Sequence, residues 1–380
     1  MKLLFIITGL GAGGAEVALK KLVNHYPSSA VEIISLQYVG EIGRQLIDEG
    51  YRVSCLNLRS PVMAPFAFFK LIRKIRKLNP DVVSTWMYHA DLIGGLAAKL
   101  AGCQAVVWGI RHADVHSNKT KLMTRIIARI CAKLSGVVPT YVACNSNRGM
   151  ISHTSIGYEK SKFRLIPNGF DTLKFSPNNL QYQGLRESLG LPKQAMVVGM
   201  LARFDPIKNH QGFIQAAACL HATKPGVHYV MVGKDVSPEN VELQELVRQA
   251  GLTNHVHLLG LRVDIPEILA GFDVLALTSW SEGFPTVIGE AMASGVPCVA
   301  TDVGDARYII ADTGSVVNPG DMRGIAESIA KLLDLPQSER EEMGRKARQR
   351  VVDNFALTDV VHKYNSLFDE ALTSIPNFKK

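Results

Sequence analysis

The chain predicts an α/β protein of two doubly wound domains, each built on a parallel sheet. Three observations carry this expectation. At 380 residues the chain is too long for one ordinary core and suits two domains of roughly 150–200 residues each. Short runs rich in Val, Ile and Leu alternate with longer stretches of helical periodicity, the pattern of buried parallel strands joined by helices. That pattern halts in a polar stretch, DTLKFSPNNLQYQGLRESLGLP at 171–192, and then restarts.

In the first half, strands are expected at 3–8, 31–36, 52–56, 81–86, 105–109 and 141–144. In the second they are expected at 195–200, 227–233, 256–259, 274–278, 297–301 and 315–317. The Pro, Asn and Gly breakers between them read as a linker. The expected layout is a domain at 1–175, a linker at 176–192, a domain at 193–355, and a last helix at 356–380 packing back on the first domain. In such sheets ligands sit at the carboxyl ends of strands, here in a cleft between the two domains.

Composition narrows the classes. Hydrophobic content of 47% with 20% charged residues is that of a soluble protein, and no apolar run reaches the roughly 20 residues that span a bilayer. The opening MKLLFIITGLGAGG carries one lysine and turns Gly-rich almost at once, which fits a buried first strand better than an export signal. A cytoplasmic location is expected. The six cysteines (Cys55, Cys103, Cys131, Cys144, Cys219, Cys298) form no C-x-x-C pair and read as buried free thiols, neither disulfides nor zinc ligands. Net charge is +8 but unevenly placed: residues 1–180 hold 23 Lys/Arg against 10 Asp/Glu, and residues 181–380 hold 19 against 24. The basic half is expected to meet an anionic partner.

After the first strand comes Gly9-Leu10-Gly11-Ala12-Gly13-Gly14, which formally satisfies the dinucleotide fingerprint G-x-G-x-x-G. The fingerprint also needs an acid at the end of the second strand, and Ser35-Leu36-Gln37 stands there instead. What survives is a tight turn presenting backbone N–H groups and a helix N-terminus, followed by Glu16. The most informative segment is SEGFPTVIGEAMASGVPCVATDVG at 281–304. Glu282 precedes a turn, Gly283-Phe284-Pro285, and a helix from Thr286 carries Glu290. The unpaired N–H groups suit a diphosphate, and the two carboxylates suit sugar and ribose hydroxyls. Arg203 and Lys208, in a loop at another strand exit, are placed to bracket a pyrophosphate, one as a fork and one as a point charge.

With these motifs in place the chain resembles family 4 of the retaining glycosyltransferases, a group with the GT-B fold. The resemblance spans essentially the whole chain. It includes Gly13-Gly14-Ala15-Glu16, Ile166-Pro167-Asn168-Gly169-Phe170-Asp171, the Arg203 and Lys208 pair, Gly260 with Arg262 and Asp264, and the Glu-x7-Glu pair of Glu282 and Glu290. It implies that Arg203 and Lys208 bind the donor diphosphate, that Glu290 holds the ribose, and that Glu282 contacts the transferred sugar. Gly13 and Gly14 would admit the diphosphate and the acceptor, and Arg262 would lie near the base. The first-domain histidine of the family best matches His112, which would orient the sugar. His89 and Asp91, following Trp86, are candidates for acceptor contacts together with Glu16. No Asp-x-Asp motif is visible, so no metal and no cofactor is expected. Positive side chains would stabilise the departing phosphates, and a same-face attack would retain configuration.

Two helical stretches look basic on one side. In 66–78, Phe68, Leu71, Ile72, Ile75 and Leu78 share a face while Lys70, Arg73, Lys74 and Lys77 share another. In 119–134, Lys121, Arg125, Arg129 and Lys133 recur at four-residue steps. The functional expectation is docking on an anionic membrane that presents a lipid-linked acceptor, for cell-surface polysaccharide synthesis from a UDP-sugar. Nucleic acid is disfavoured, since no aromatic platform accompanies the charges. The alternatives are an epimerase of nucleotide-sugars with the same fold, a two-domain binding protein without catalysis, and a phosphorylase with a Schiff-base lysine.

Overall fold

The computed structural model describes residues 1–58, 64–112, 115 and 122–374; residues 119–121 of the second basic stretch and the last residues of the expected final helix lie outside the described residues. The chain forms two compact units, Met1–Gly169 with Leu357–Lys380, and Phe170–Ala356.

In the first unit seven strands, β1 (Leu3–Ile7), β2 (Val31–Ser35), β3 (Arg52–Cys55), β4 (Val82–Trp86), β5 (Ala105–Ile110), β6 (Tyr141–Cys144) and β7 (Phe163–Leu165), lie in the order β3-β2-β1-β4-β5-β6-β7. In the second, β8 (Met196–Leu201), β9 (Val227–Val232), β10 (Val256–Leu258), β11 (Val274–Leu277), β12 (Cys298–Thr301) and β13 (Ser315–Val317) lie in the order β10-β9-β8-β11-β12-β13. Every strand pairing is parallel. The central strands β1, β4, β5 and β11 are buried along their whole length, which is why they read as unbroken apolar runs. Strand order reverses between β1 and β4 in one sheet and between β8 and β11 in the other. The edge strand β7 went unforeseen: three residues, Phe-Arg-Leu, are too few to show a period.

The helix Leu357–Thr373 belongs to the first unit, where Val360, Tyr364, Leu367, Phe368 and Ala371 share one core with Leu3, Phe5 and Ile7 of β1. The stretch 176–192 is not a linker. It holds the helix Asn179–Ser188 of the second unit, and the boundary falls at Gly169. Phe170 and Phe175 are buried in that unit's core with Leu185. Arg186, also buried, pairs with Asp273 at 2.7 Å and donates to the carbonyls of Ala195 and Gly271. A buried arginine is invisible to hydrophobic periodicity, so the segment looked polar. The cysteines are all free thiols, but only Cys131, Cys144 and Cys298 are buried; Cys55 and Cys103 are half-buried and Cys219 is exposed.

Candidate functional site

The reversal of strand order in the second sheet gathers the loops that leave β8 and β11. The β8 loop is shaped by two side chains. Asp205 accepts from the Ile207 N–H at 2.9 Å and pairs with Arg203 at 2.8 Å; the backbone bond first and then the arginine hold its carboxyl below the ordinary value. Asn209 sits at φ 55°, a left-handed conformation that asparagine tolerates. It caps the helix His210–His221 by accepting from the Gly212 N–H, and it donates to the Thr278 carbonyl at the β11 exit. Thr278 donates back to the Asn209 carbonyl, and the Trp280 N–H donates to the Ile207 carbonyl at 2.8 Å. Three of these bonds lock one loop against the other and bring Lys208 to Glu282, Nζ to Oε1, at 2.7 Å. Ser279, itself buried, donates to the same Glu282 oxygen at 2.7 Å.

The turn beyond Glu282 depends on Gly304. That residue has φ 54°, and a Cβ there would stand 2.2 Å from the Gly283 carbonyl, which accepts from the Asp305 N–H. This explains why the informative segment extends to Gly304. The helix Thr286–Ala293 begins after Pro285, and no side chain caps its N-terminus. Phe284 is 7% exposed and packs on Phe170 and Phe355, leaving only its main chain to meet a ligand. Glu290 is half-buried in the second turn. Arg262 forms a fork with Asp264, at 2.8 and 2.5 Å, beside Gly260.

In the first unit the glycine turn is filled from within. The exposed Tyr38 lies over it: a Cβ on Gly9 would come within 2.8 Å of that ring, and one on Gly11 within 3.3 Å of its hydroxyl. Tyr38 occupies the side of the turn where a dinucleotide fingerprint has its ribose acid. Glu16 folds back over Gly13, where a Cβ would meet its carboxylate at 2.4 Å, while Gly14 has open space around it. Burial raises the Glu16 carboxyl above its ordinary value, against a smaller opposing bond from its own N–H. His89 is half-buried and burial lowers its pKa. His112 emerges exposed just after β5.

Asp91 is a correction. Its side chain is fully buried and cannot touch an acceptor; it accepts from Thr85 Oγ1 at 2.6 Å and from the Gly109 N–H at 3.3 Å, tying β4 to β5. Burial pushes its pKa well above the ordinary 3.8. Four residues of the two sites escaped the sequence reading. Ser279 and Tyr38 carry no motif signal. Met87, at φ 73° before the helix Tyr88–Ala101, is a strained position that only coordinates reveal. Asn209 could have been found, as an Asn standing before a helix. A cavity of about 460 Å³ lined by Tyr182, Asp273 and Arg340 lies near the amino ends of β11 and β12, away from these loops. Among the described residues, no group of three or more His, Cys, Asp or Glu is arranged to hold a metal ion.

The basic helices differ from expectation in one respect. In Ala64–Leu78 the residues Leu71, Ile72 and Ile75 are buried as expected, but Phe66 and Phe69 are exposed beside Lys70 and Arg73. In Leu122–Leu134 the small residues Ala128, Cys131 and Ala132 make the packing face, and Leu122, Met123, Ile126 and Ile130 stand exposed among Arg129 and Lys133. No described helix is long and apolar enough to cross a membrane.

Comparison with known proteins agrees with the fold. The profile described as Glycosyltransferase Family 4 matches residues 12–174, and that described as Glycosyl transferases group 1 matches residues 182–350. The chain is 27% identical over 313 residues to the putative glycosyltransferase EpsF of Bacillus subtilis, covering 79% of each protein. It is 26% identical over 307 residues to an Escherichia coli enzyme named UDP-Gal:alpha-D-GlcNAc-diphosphoundecaprenol alpha-1,3-galactosyltransferase, covering 80% of this chain and 78% of that one. In fold it matches Anabaena HepE, solved in complex with UDP, with a TM-score of 0.86 at 24% identity over 97% of this chain and all of that one. Two Rossmann-like units of the GT-B type, both family profiles and these relatives converge: the chain belongs to family 4 of the glycosyltransferases.

Proposed function

We propose that this glycosyltransferase moves a hexose or N-acetylhexosamine from a UDP-sugar to a glycan or lipid-linked acceptor in cell-surface polysaccharide synthesis, with retention and without a metal. The observation that carries the reading is the meeting of Lys208 and Glu282 at the β8/β11 reversal. A cation for a leaving diphosphate and a carboxylate for sugar hydroxyls stand within one ligand's length. In the resting state Arg203 is paired with Asp205 and Lys208 with Glu282. A diphosphate offers both cations stronger partners, and Glu282 is then released to the sugar.

In the reaction the bond from the anomeric carbon to the diphosphate oxygen breaks while the acceptor oxygen adds on the same face. The acceptor hydroxyl proton passes to the departing diphosphate. Arg203, Lys208 and the N–H groups at 283–286 stabilise the negative charge that develops there. Glu290 takes the ribose, Arg262 stands by the base, and His112 orients the sugar. Gly14, with open space above it, with Glu16 and His89, is left for the acceptor side.

The relative named for a UDP-Gal donor and a diphosphoundecaprenol acceptor supports this choice of substrates. The mixed basic and apolar faces of Ala64–Leu78 and Leu122–Leu134 support contact with the anionic inner face of a membrane, the apolar residues inserting while Lys and Arg meet headgroups. Nucleic acid is not a partner in this reading.

The test is a thermal-shift screen of UDP-, GDP-, ADP- and TDP-sugars, followed by slow nucleotide release. A donor at 100 times its Kd stabilises the fold by about 2.7 kcal/mol. UDP-sugars are expected to shift the wild type, and Arg203→Ala to lose that shift. A protein that no nucleotide-sugar stabilises refutes the reading.

A further inference from the structure

The residue before His112 is held in a way that packing alone does not require. The Arg111 guanidinium carbon lies 3.7 Å from the centroid of the Trp86 ring at the end of β4. Its Nη1 donates to Asn168 Oδ1 at 3.2 Å, and its Nη2 donates to the Tyr364 hydroxyl on the helix Leu357–Thr373. Tyr364 is buried and stacks on the same Trp86, with ring centroids 6.3 Å apart. The other side of the segment is held as well. The His112 ring meets Tyr88 edge-on at 6.2 Å. The Tyr88 hydroxyl lies 2.6 Å from His153 Nε2, and His153 Nδ1 lies 2.6 Å from the Gly149 carbonyl. A Cβ on Gly149 would come within 3.3 Å of the His112 carbonyl, so that helix turn lies directly against the histidine's main chain.

Arg111 does not form an ion pair with Asp91, the nearby buried acid. Arg111 Nε and Asp91 Oδ2 are both buried without a hydrogen-bond partner. A guanidinium half-buried in this way is a poor device for stability, since an apolar side chain of similar size does that work without leaving a buried N–H unpaired. What the fork and the ring stack supply is a fixed direction.

We propose that Arg111 is a positioning residue for His112: the clamp of Trp86, Asn168 and Tyr364 fixes the β5 exit, so that the C-terminal helix sets where the histidine points. This rests on the role given to His112 above. The clamp also gives the return of the chain to the first unit a function besides core packing.

The experiment is a double-mutant cycle on nucleotide release, using whichever sugar nucleotide the thermal-shift panel selects. Arg111→Lys keeps the charge but loses the fork. It is expected to lower kcat by about 10–100-fold, the scale of a displacement near 1 Å, with donor KM unchanged. Tyr364→Phe removes one hydroxyl and is expected to lower kcat several-fold. In a His112→Ala background neither change should cost anything further, because both act through the missing ring. Equal losses with and without His112, or a wild-type kcat in Arg111→Lys, overturn the proposal while leaving the role of His112 intact. A His112→Ala variant with wild-type kcat overturns both. Should Arg111→Lys fail to fold, the Tyr364→Phe and His112→Ala cycle asks the same question. Amide exchange at Ile110 and His112 gives a readout without substrate: it should quicken in Tyr364→Phe, and unchanged exchange speaks against the clamp.

Discussion

Where strand order reverses in the second unit, Lys208 and Glu282 meet at 2.7 Å, and Arg203 stands 62% exposed on the neighbouring loop. At the corresponding reversal in the first unit, Tyr38 lies on the glycine turn, Glu16 covers the helix start, and the only acid of the β4 exit, Asp91, is sealed inside. Topology makes the two places equivalent; side chains make them different. One presents paired charges that a diphosphate can exchange for itself. The other offers main chain, an aromatic ring and a histidine, groups suited to a neutral hydroxyl-bearing ligand. The buried acids repeat the contrast. Asp273 accepts from Arg186, the Val197 N–H and Tyr182, whereas one oxygen of Asp91 has no partner.

Removing a partner from Asp273 should show the largest effect. Arg186→Ala leaves that carboxylate buried with its main counter-charge gone, and a loss of about 3–5 kcal/mol is expected in urea unfolding. A loss below about 1 kcal/mol would mean that Asp273 is not held as a charge, and the contrast with Asp91 would fall. Next come the exposed charges. Arg203→Ala and Lys208→Ala should each lower nucleotide release by about 100–1000-fold, the scale of losing one charge-stabilising donor, with little change in Tm. Wild-type rates in both would move the donor site elsewhere.

Asp91 comes third, and its sign can be worked out. Its pKa is raised in the folded protein, so the stabilisation of its protonated form is full below the ordinary 3.8 and is lost as pH rises through the folded value. Asp91→Asn mimics that protonated form. It should match the wild type in acid and gain on it as pH rises, while nucleotide release is retained. Thermal melts across pH decide this, and a variant that loses ground with rising pH contradicts it. The smallest effect belongs to Gly14→Ala. With open space around the position, stability should stay within about 0.5 kcal/mol, so that any fall in transfer to acceptor reports ligand approach.

Much of this was legible in the residues. Buried parallel strands announce themselves as short apolar runs, and β1, β4, β5, β8 and β11 fell where those runs stood. Lys208 and Glu282 could be named because strand exits are where α/β sheets bind ligands. The failures share a cause. Asn179–Ser188 turned out to be a helix of the second unit because Arg186 satisfies its charge inside that core, a fact about distant Asp273. Asp91 looked available because its burial depends on Thr85 and on Gly109 of the adjacent strand. The exposure of Leu122, Met123, Ile126 and Ile130 in Leu122–Leu134 could not be read from the chain because periodicity cannot tell a packed face from one left open.

The sequence by itself determined the local things: which runs become strands, which loops leave them, and which charges those loops carry. Only the tertiary structure decided which of those charges are paired, sealed or presented. A hydrogen bond between residues 74 or 253 positions apart, such as Lys208 to Glu282 or Arg111 to Tyr364, leaves no period in the chain. It exists because parallel strands bring loop ends from distant parts of the sequence to one edge of a sheet, where a few ångströms settle whether a side chain binds a ligand or its own neighbour.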